Sequence, residues 1–236
     1  MPKKSFGNPG RPAASLERDA RDLLLAAATE LFAEHGVAAT TFAMIAKRAG
    51  LTPAMLHYYF TNRDQLLDVV VEERLAPLIV SVWTPVEAGA APKELILGIV
   101  KRMLAGIEQM PWVPSTWMRE VLNEGGLLRT RMLRHLPFEK VKILGEAVAR
   151  GQASKTVNPN LDSGLIGFSI IGLVMLHMAT VRFSAEVFAR KAPAAEAMSR
   201  HITGLLLDGL RPPSPARPGK ARSNTRSGNT RGTKNK

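Results

Sequence analysis

Between Thr40 and Leu66 the chain gathers side chains suited to holding a nucleic acid: threonine and tyrosine hydroxyls, the cations Lys47, Arg48 and Arg63, and no carboxylate from Thr40 to Arg63. Spacing supplies the scaffold for them. Thr41 is placed as an N-cap, with Ile45, Ala46 and Ala49 following on one helical face. Gly50 stands where a left-handed residue ends that helix, a conformation glycine adopts without steric cost. Leu51 plugs the corner. Thr52 and Pro53 then open a second helix, a capping hydroxyl followed by a ring already set at helical φ. That helix runs to Phe60 and turns Leu56 and Phe60 to one side. Asn62 with Gln65 three residues later is a capping-box start for a third helix. Two short helices about a glycine turn are a helix-turn-helix.

Charge supports the placement once it is divided along the chain. The formal net charge is +12, but residues 211–236 hold eight Lys or Arg and residues 1–11 three more, neither with an acid. Residues 12–210 carry 21 basic against 20 acidic groups, so the body is nearly neutral and its positive sign is local to the helix-turn-helix. There is no cysteine, which excludes a disulfide framework, a thiolate metal site and a cysteine nucleophile and fits a reducing cytoplasm. No nucleophile elbow, phosphate-binding glycine loop or metal-spaced cluster appears, so neither an enzyme, a cofactor nor a metal is expected. Residues 1–12 lack the apolar core of a signal peptide.

The stretch resembles the TetR/AcrR transcriptional regulators. Thr41, the IAKRAGL run from Ile45 to Leu51, the LHYYF run from Leu56 to Phe60 and NRDQLL from Asn62 to Leu67 carry the resemblance, which covers roughly Leu16 to Leu75. Two positions depart from the usual pattern. His57 stands where the family often has tyrosine, and Arg63 where it usually has a phosphate-contacting lysine. With the second helix in the major groove, the resemblance implies that Thr52, Pro53, Ala54, Met55 and Tyr58 face bases. Thr41, Arg48, Tyr59 and Arg63 then hold phosphates. His57 is either an exposed bystander or a donor to phosphate. A recognition helix this poor in Arg, Asn and Gln leans on thymine contacts, DNA shape and dimer spacing for specificity.

The remaining elements must position this head. Helix 1 opens near Ser15 with an apolar stripe of Leu16, Ala20, Leu23, Leu24, Ala27, Leu31 and Phe32, and closes at His35-Gly36. The helix from Asn62 leads out, and Pro77 is expected to end or kink it. Residues 82–92 read as a connector. Leu95, Ile96, Ile99, Val100, Met103, Leu104 and Ile107 mark a helix from Pro92 to Met110. Pro111 and Pro114 break the chain around Trp112, Gly125-Gly126 interrupt it again, and Gly151–Asn160 reads as a loop or a short hairpin-like excursion.

Gly164–Val181 holds eighteen residues without a formal charge. That length touches the threshold for a membrane span, but Ser169, His177 and three glycines argue for a helix buried on two sides. No segment alternates as a strand, so the fold class is all-α. The expected organisation is a disordered basic arm (1–14), a helix-turn-helix DNA-binding domain (15–75), a helical ligand-binding and dimerisation domain (76–210) and a disordered basic tail (211–236).

By resemblance, the chain pairs as a homodimer through Leu161–Ser184 and Pro193–Leu210, and represses from a palindromic double-stranded operator until a small-molecule effector binds. Met103, Ile107, Trp112, Trp117 and Met175 are candidates to line the effector pocket, with His177 as polar anchor; each is equally placed to be plain core. No membrane association is expected. An activator with the same reading head, and an architectural protein acting through its basic tails, are the rival readings.

Overall fold

The computed structural model describes residues 13–189 and 191–213. The basic arm up to residue 12 and the tail from 214 lie outside the described residues. Ala13 and Ala14, expected in the arm, form the first turn of α1 (Ala13–His35). Then come α2 (Phe42–Ala49), α3 (Pro53–Tyr59) and α4 (Arg63–Val70). A π-helical turn at Val71–Leu75 carries α4 on into α5 (Ala76–Trp83). The second half holds α6 (Pro92–Gln109), α7 (Val113–Thr116, continued by a π turn at Trp117–Val121) and α8 (Arg129–Leu133). It closes with α9 (Phe138–Ala153), α10 (Ile166–Val187) and α11 (Ala195–Leu210). Among the described residues there is no strand.

Pro77 does not end its helix. The Ala76 amide bonds back five residues to the Val71 carbonyl, and this wider turn lies immediately before the proline. In a regular helix the ring would meet the carbonyl four residues back. Widening the turn at that point lets one rod run from Arg63 to Trp83. The break expected around Trp112 falls between α6 and α7, and Pro114 sits in the first turn of α7, where a missing amide is harmless. The connector shortens accordingly, because Val82, Trp83 and Val86 are buried. Gly151, assigned to a loop, is still helical, inside α9.

One continuous core joins both halves. Leu24, Leu25, Ala28, Leu31 and Phe32 of α1 pack on Ile45, Leu56, Phe60, Leu66 and Leu67. Leu23, expected in the stripe, is half exposed, and Leu25 takes its place. In the second half α6 is the central post, touching α5, α9, α10 and α11. Its seven expected apolar residues are all buried, each contributing about 1.5–3 kcal/mol.

Polar links fix α1 and the second half against the reading head. Arg21 grips Glu73 through two hydrogen bonds of 2.5 and 2.7 Å, and Arg74 reaches Asp22 at 2.8 Å. The Arg21 hydrogen bond holds the Glu73 carboxyl below its ordinary range. Arg131 of α8 binds Asp64 at 2.7 Å and Asp68 at 2.5 Å, both on α4. Glu120 is a buried carboxylate in the π turn after α7. It accepts the Val37 amide at 2.7 Å and the Leu127 amide at 3.1 Å. Gly126 is required beside it, since a Cβ there would overlap the Glu120 carbonyl.

Two outcomes follow. Glu120→Ala leaves a buried amide and a half-buried one without an acceptor and should cost about 2–3 kcal/mol in urea unfolding, with Glu120→Gln costing less because one acceptor remains. Because its folded pKa is depressed, Glu73 stabilises the fold above its unfolded pKa and ceases to do so as pH falls through the folded value. Glu73→Gln should therefore be less stable than the parent at pH 7, and the two should converge as pH drops below about 4.

Candidate nucleic-acid interface

The helix-turn-helix owes its shape to three caps and a glycine. Thr41 accepts the Met44 amide at 3.2 Å, Thr52 the Met55 amide at 3.3 Å and Asn62 the Gln65 amide at 2.9 Å. Gln65 completes its box one residue early, taking the Thr61 amide at 2.7 Å. Gly50 is left-handed at φ 70°, and its amide and that of Leu51 close α2 on the Lys47 and Ala46 carbonyls. Because both threonine oxygens accept from amides, their hydroxyl protons remain available to an outside acceptor.

Burial divides α3 into two faces. Leu56 and the capping Phe60 are fully buried against α1 and α4, whereas Thr52, Pro53, Ala54, His57 and Tyr58 are exposed. Tyr58 is 73% exposed, its ring edge-on to Tyr59 at 5.1 Å. Met55 and Tyr59 are half-buried at the rim. His57 lies against the Phe42 ring of α2, centroids 5.1 Å apart, so its exposed imidazole braces α3 on α2. Thr52, Pro53, Ala54, His57 and Tyr58 thus make the exposed face of α3, while Thr41 and Arg63 stand at the starts of α2 and α4.

The cations behave differently from one another. Arg48 is committed. Its guanidinium holds Glu30 at 3.1 Å and Glu34 at 2.7 Å, both on α1, and these hydrogen bonds raise its pKa further. Arg48, expected to hold a phosphate, here fastens α2 to α1 through these exposed ion pairs. Glu30 and Glu34 went unread in the sequence although they lie one helical turn apart, the spacing that places two acids on one face. Arg63 donates to the Val37 carbonyl and keeps its other donors. Lys47 is exposed and makes no ion pair among the described residues.

The six pocket candidates do not converge on one place. Met103, Trp117 and Met175 line an apolar cavity of about 50 Å3 with Leu75, Val113 and Met132. Ile107 and Trp112 instead face an open groove with Glu30, Glu34 and Glu108 between α1, α6 and α10. His177 lies in a third place, between α10 and α11. The cavity's walls are also the elements that hold the reading head. Trp117 shares its turn with Glu120 and with Arg119, which donates to the Glu34 carbonyl at 3.0 Å, and Met132 follows Arg131.

If Glu30 and Glu34 occupy the Arg48 guanidinium, removing their charge releases it toward solvent. The double change Glu30→Gln with Glu34→Gln should raise affinity for DNA of any sequence and steepen its salt dependence by about one phosphate contact, read as binding isotherms at several salt concentrations.

Comparison with known proteins agrees with this geometry. Residues 24–70, which span α1 to α4, match the family model for bacterial regulatory proteins of the tetR family. The transcriptional regulator BetI of Rhizobium meliloti is 27% identical over 107 residues. That alignment spans 45% of this chain and about half, 53%, of BetI. Two solved structures share the fold. The ketosteroid transcriptional regulator KstR2 of Mycobacterium tuberculosis superposes with a TM-score of 0.66 at 21% identity, covering 81% of this chain and 94% of that one. FadR of Bacillus subtilis, solved in complex with stearoyl-CoA, gives 0.58 at 20% identity over 81% of this chain and all of that one. A three-helix reading head with these caps, matched by the family model, makes residues 24–70 a helix-turn-helix of the tetR family, carried on an all-helical body whose fold is that of the two solved structures.

Proposed function

We propose that the chain is a homodimeric repressor that reads a palindromic operator with α3 and leaves it when an apolar small molecule enters the second half. The observation that carries this reading is the outer face of α3, where Thr52, Pro53, Ala54, His57 and Tyr58 are exposed over a buried Leu56 and Phe60. Residues 15–75 form the DNA-binding unit and 76–210 the ligand-binding and dimerisation unit. Thr52, Pro53, Ala54, Met55 and Tyr58 meet base edges, while Thr41, Tyr59 and the remaining donors of Arg63 hold phosphates.

Dimerisation uses α10 and α11. Leu165 just before α10, Phe168, Leu176, Phe183 and Val187 of α10, and Leu205 of α11 are large, apolar and exposed. An apolar surface of that extent calls for a partner. To reach successive major grooves, two copies joined there must hold their reading heads roughly 34–36 Å apart.

The effector is apolar, because the cavity between α5, α6, α7, α8 and α10 is lined by Leu, Ile, Val, Met and Trp alone. FadR's stearoyl-CoA supports a long acyl chain as the class to try first. About 50 Å3 holds little more than a water or two, so an effector must part the helices around it. That requirement supplies the differential affinity on which induction depends. Among the described residues no helix is long and apolar enough to cross a membrane, and the repressor acts on DNA in the cytoplasm.

The near-neutral body and the engaged Arg48 favour one rival, an architectural protein held to DNA by its basic tails. Selection of bound genomic fragments at near-physiological salt separates the two, using the full chain beside one ending at Leu210. A palindrome enriched with both is expected, and long-chain acyl-CoA should release it. Enrichment without sequence, or lost with the tail, would establish the architectural reading instead. Within the selected site, Tyr59→Phe should weaken all sequences alike, by about fivefold for one hydrogen bond. Met55→Ala should change the preferred base at one position.

A further inference from the structure

We propose that His177 and His201 form a site for one divalent transition-metal ion of the zinc, nickel or copper type, which ties α10 to α11 within a single subunit.

The two helices are otherwise loosely joined. α11 packs chiefly on α6, and between α10 and α11 lies an open groove of about 460 Å3 lined by Leu176, His177, Thr180, Ser184, Met198 and His201. The two imidazoles meet across it with ring centroids 5.6 Å apart and planes inclined at 53°. Two imidazoles bound to one zinc at about 2.0–2.1 Å per nitrogen hold their centroids about 5–6 Å apart, so the observed separation already suits a shared ion.

The tautomer of His177 suits it too. Its Nδ1 lies 2.7 Å from the Leu173 carbonyl oxygen. A carbonyl only accepts, so Nδ1 carries the proton and the Nε2 lone pair is left for a ligand. A ligating histidine usually has such a partner on its other nitrogen, which sets the ring's orientation and raises its basicity. His201 is exposed and needs no rearrangement of the core to complete the pair.

No group of three or more His, Cys, Asp or Glu residues gathers among the described residues. The ion therefore takes two protein ligands and completes its shell with water. Borderline ions that favour imidazole fit this donor pair, whereas magnesium and calcium, which require oxygen ligands, do not. The site was not anticipated from the sequence, where His177 and His201 are 24 positions apart on different helices.

The test titrates Zn2+ into the chelator-treated full chain, read by calorimetry and by thermal unfolding. One ion per chain and a raised Tm are expected for the parent. His177→Ala and His201→Ala should each weaken binding by at least about tenfold and abolish the Tm rise, while His57→Ala and His135→Ala retain both. Far-UV circular dichroism and gel filtration of metal-free His201→Ala should match the parent, separating loss of a ligand from loss of fold or of the dimer. No Zn2+ uptake by the parent, or uptake by His201→Ala as tight as the parent's, would overturn the proposal.

Discussion

The joint between reader and body hangs on a single peptide unit, that of Val37, in the turn between α1 and α2. Its amide points at a buried carboxylate of the second half, Glu120, and its carbonyl receives Arg63 from α4. The Val37 side chain is fully buried, so neither polar group can turn to water instead. A buried amide must find an acceptor or lose about 1–3 kcal/mol. Meeting that requirement with a group from the far half of the chain couples the entry to α2 to the turn after α7. The position of the reader thus depends on a wall of the apolar cavity, because Trp117, which lines it, begins the turn that ends beside Glu120.

Charge in this protein is spent within the structure before it reaches the surface. The helix-turn-helix reads as a positive patch in sequence, yet Arg48 is neutralised by Glu30 and Glu34, and Arg63 is partly used on a carbonyl. What remains for a polyanion is Lys47, the spare donors of Arg63, and hydroxyl protons at helix N-termini, where the dipole also favours negative charge. Such a surface is suited to directed hydrogen bonds more than to bulk attraction.

Local structure was largely legible. Thr41, Gly50, Thr52-Pro53 and Asn62 act at short range through their own backbone neighbours, and each sits as its type and spacing predict. The α6 stripe was equally plain, since seven apolar residues at helical intervals admit one buried face. What escaped was whatever depends on partners far along the chain. Arg48's engagement requires knowing that α2 crosses α1 beside Glu30. Glu120's role requires a contact 83 positions away. The scatter of Ile107, Trp112 and His177 away from the cavity has the same origin: periodicity identifies a buried face but not which neighbour covers it. Leu23 and Leu25 were exchanged because a helix rich in leucine and alanine offers two adjacent stripes.

The π turn at Val71–Leu75 was written in the apolar pattern as well. Leu66 and Leu67 are followed by Val70 and Val71 after four positions, but Leu75 and Ala76 come after five. Such a step is the mark of one residue more than a regular helix would hold. Removing one residue there would restore the four-residue step and a plain α-helix, with the apolar face beyond it still turned to the core. The clash between the Pro77 ring and the carbonyl four residues back would return with it. The wide turn thus lets the rod carry a proline in its interior while Val82 and Trp83 stay buried.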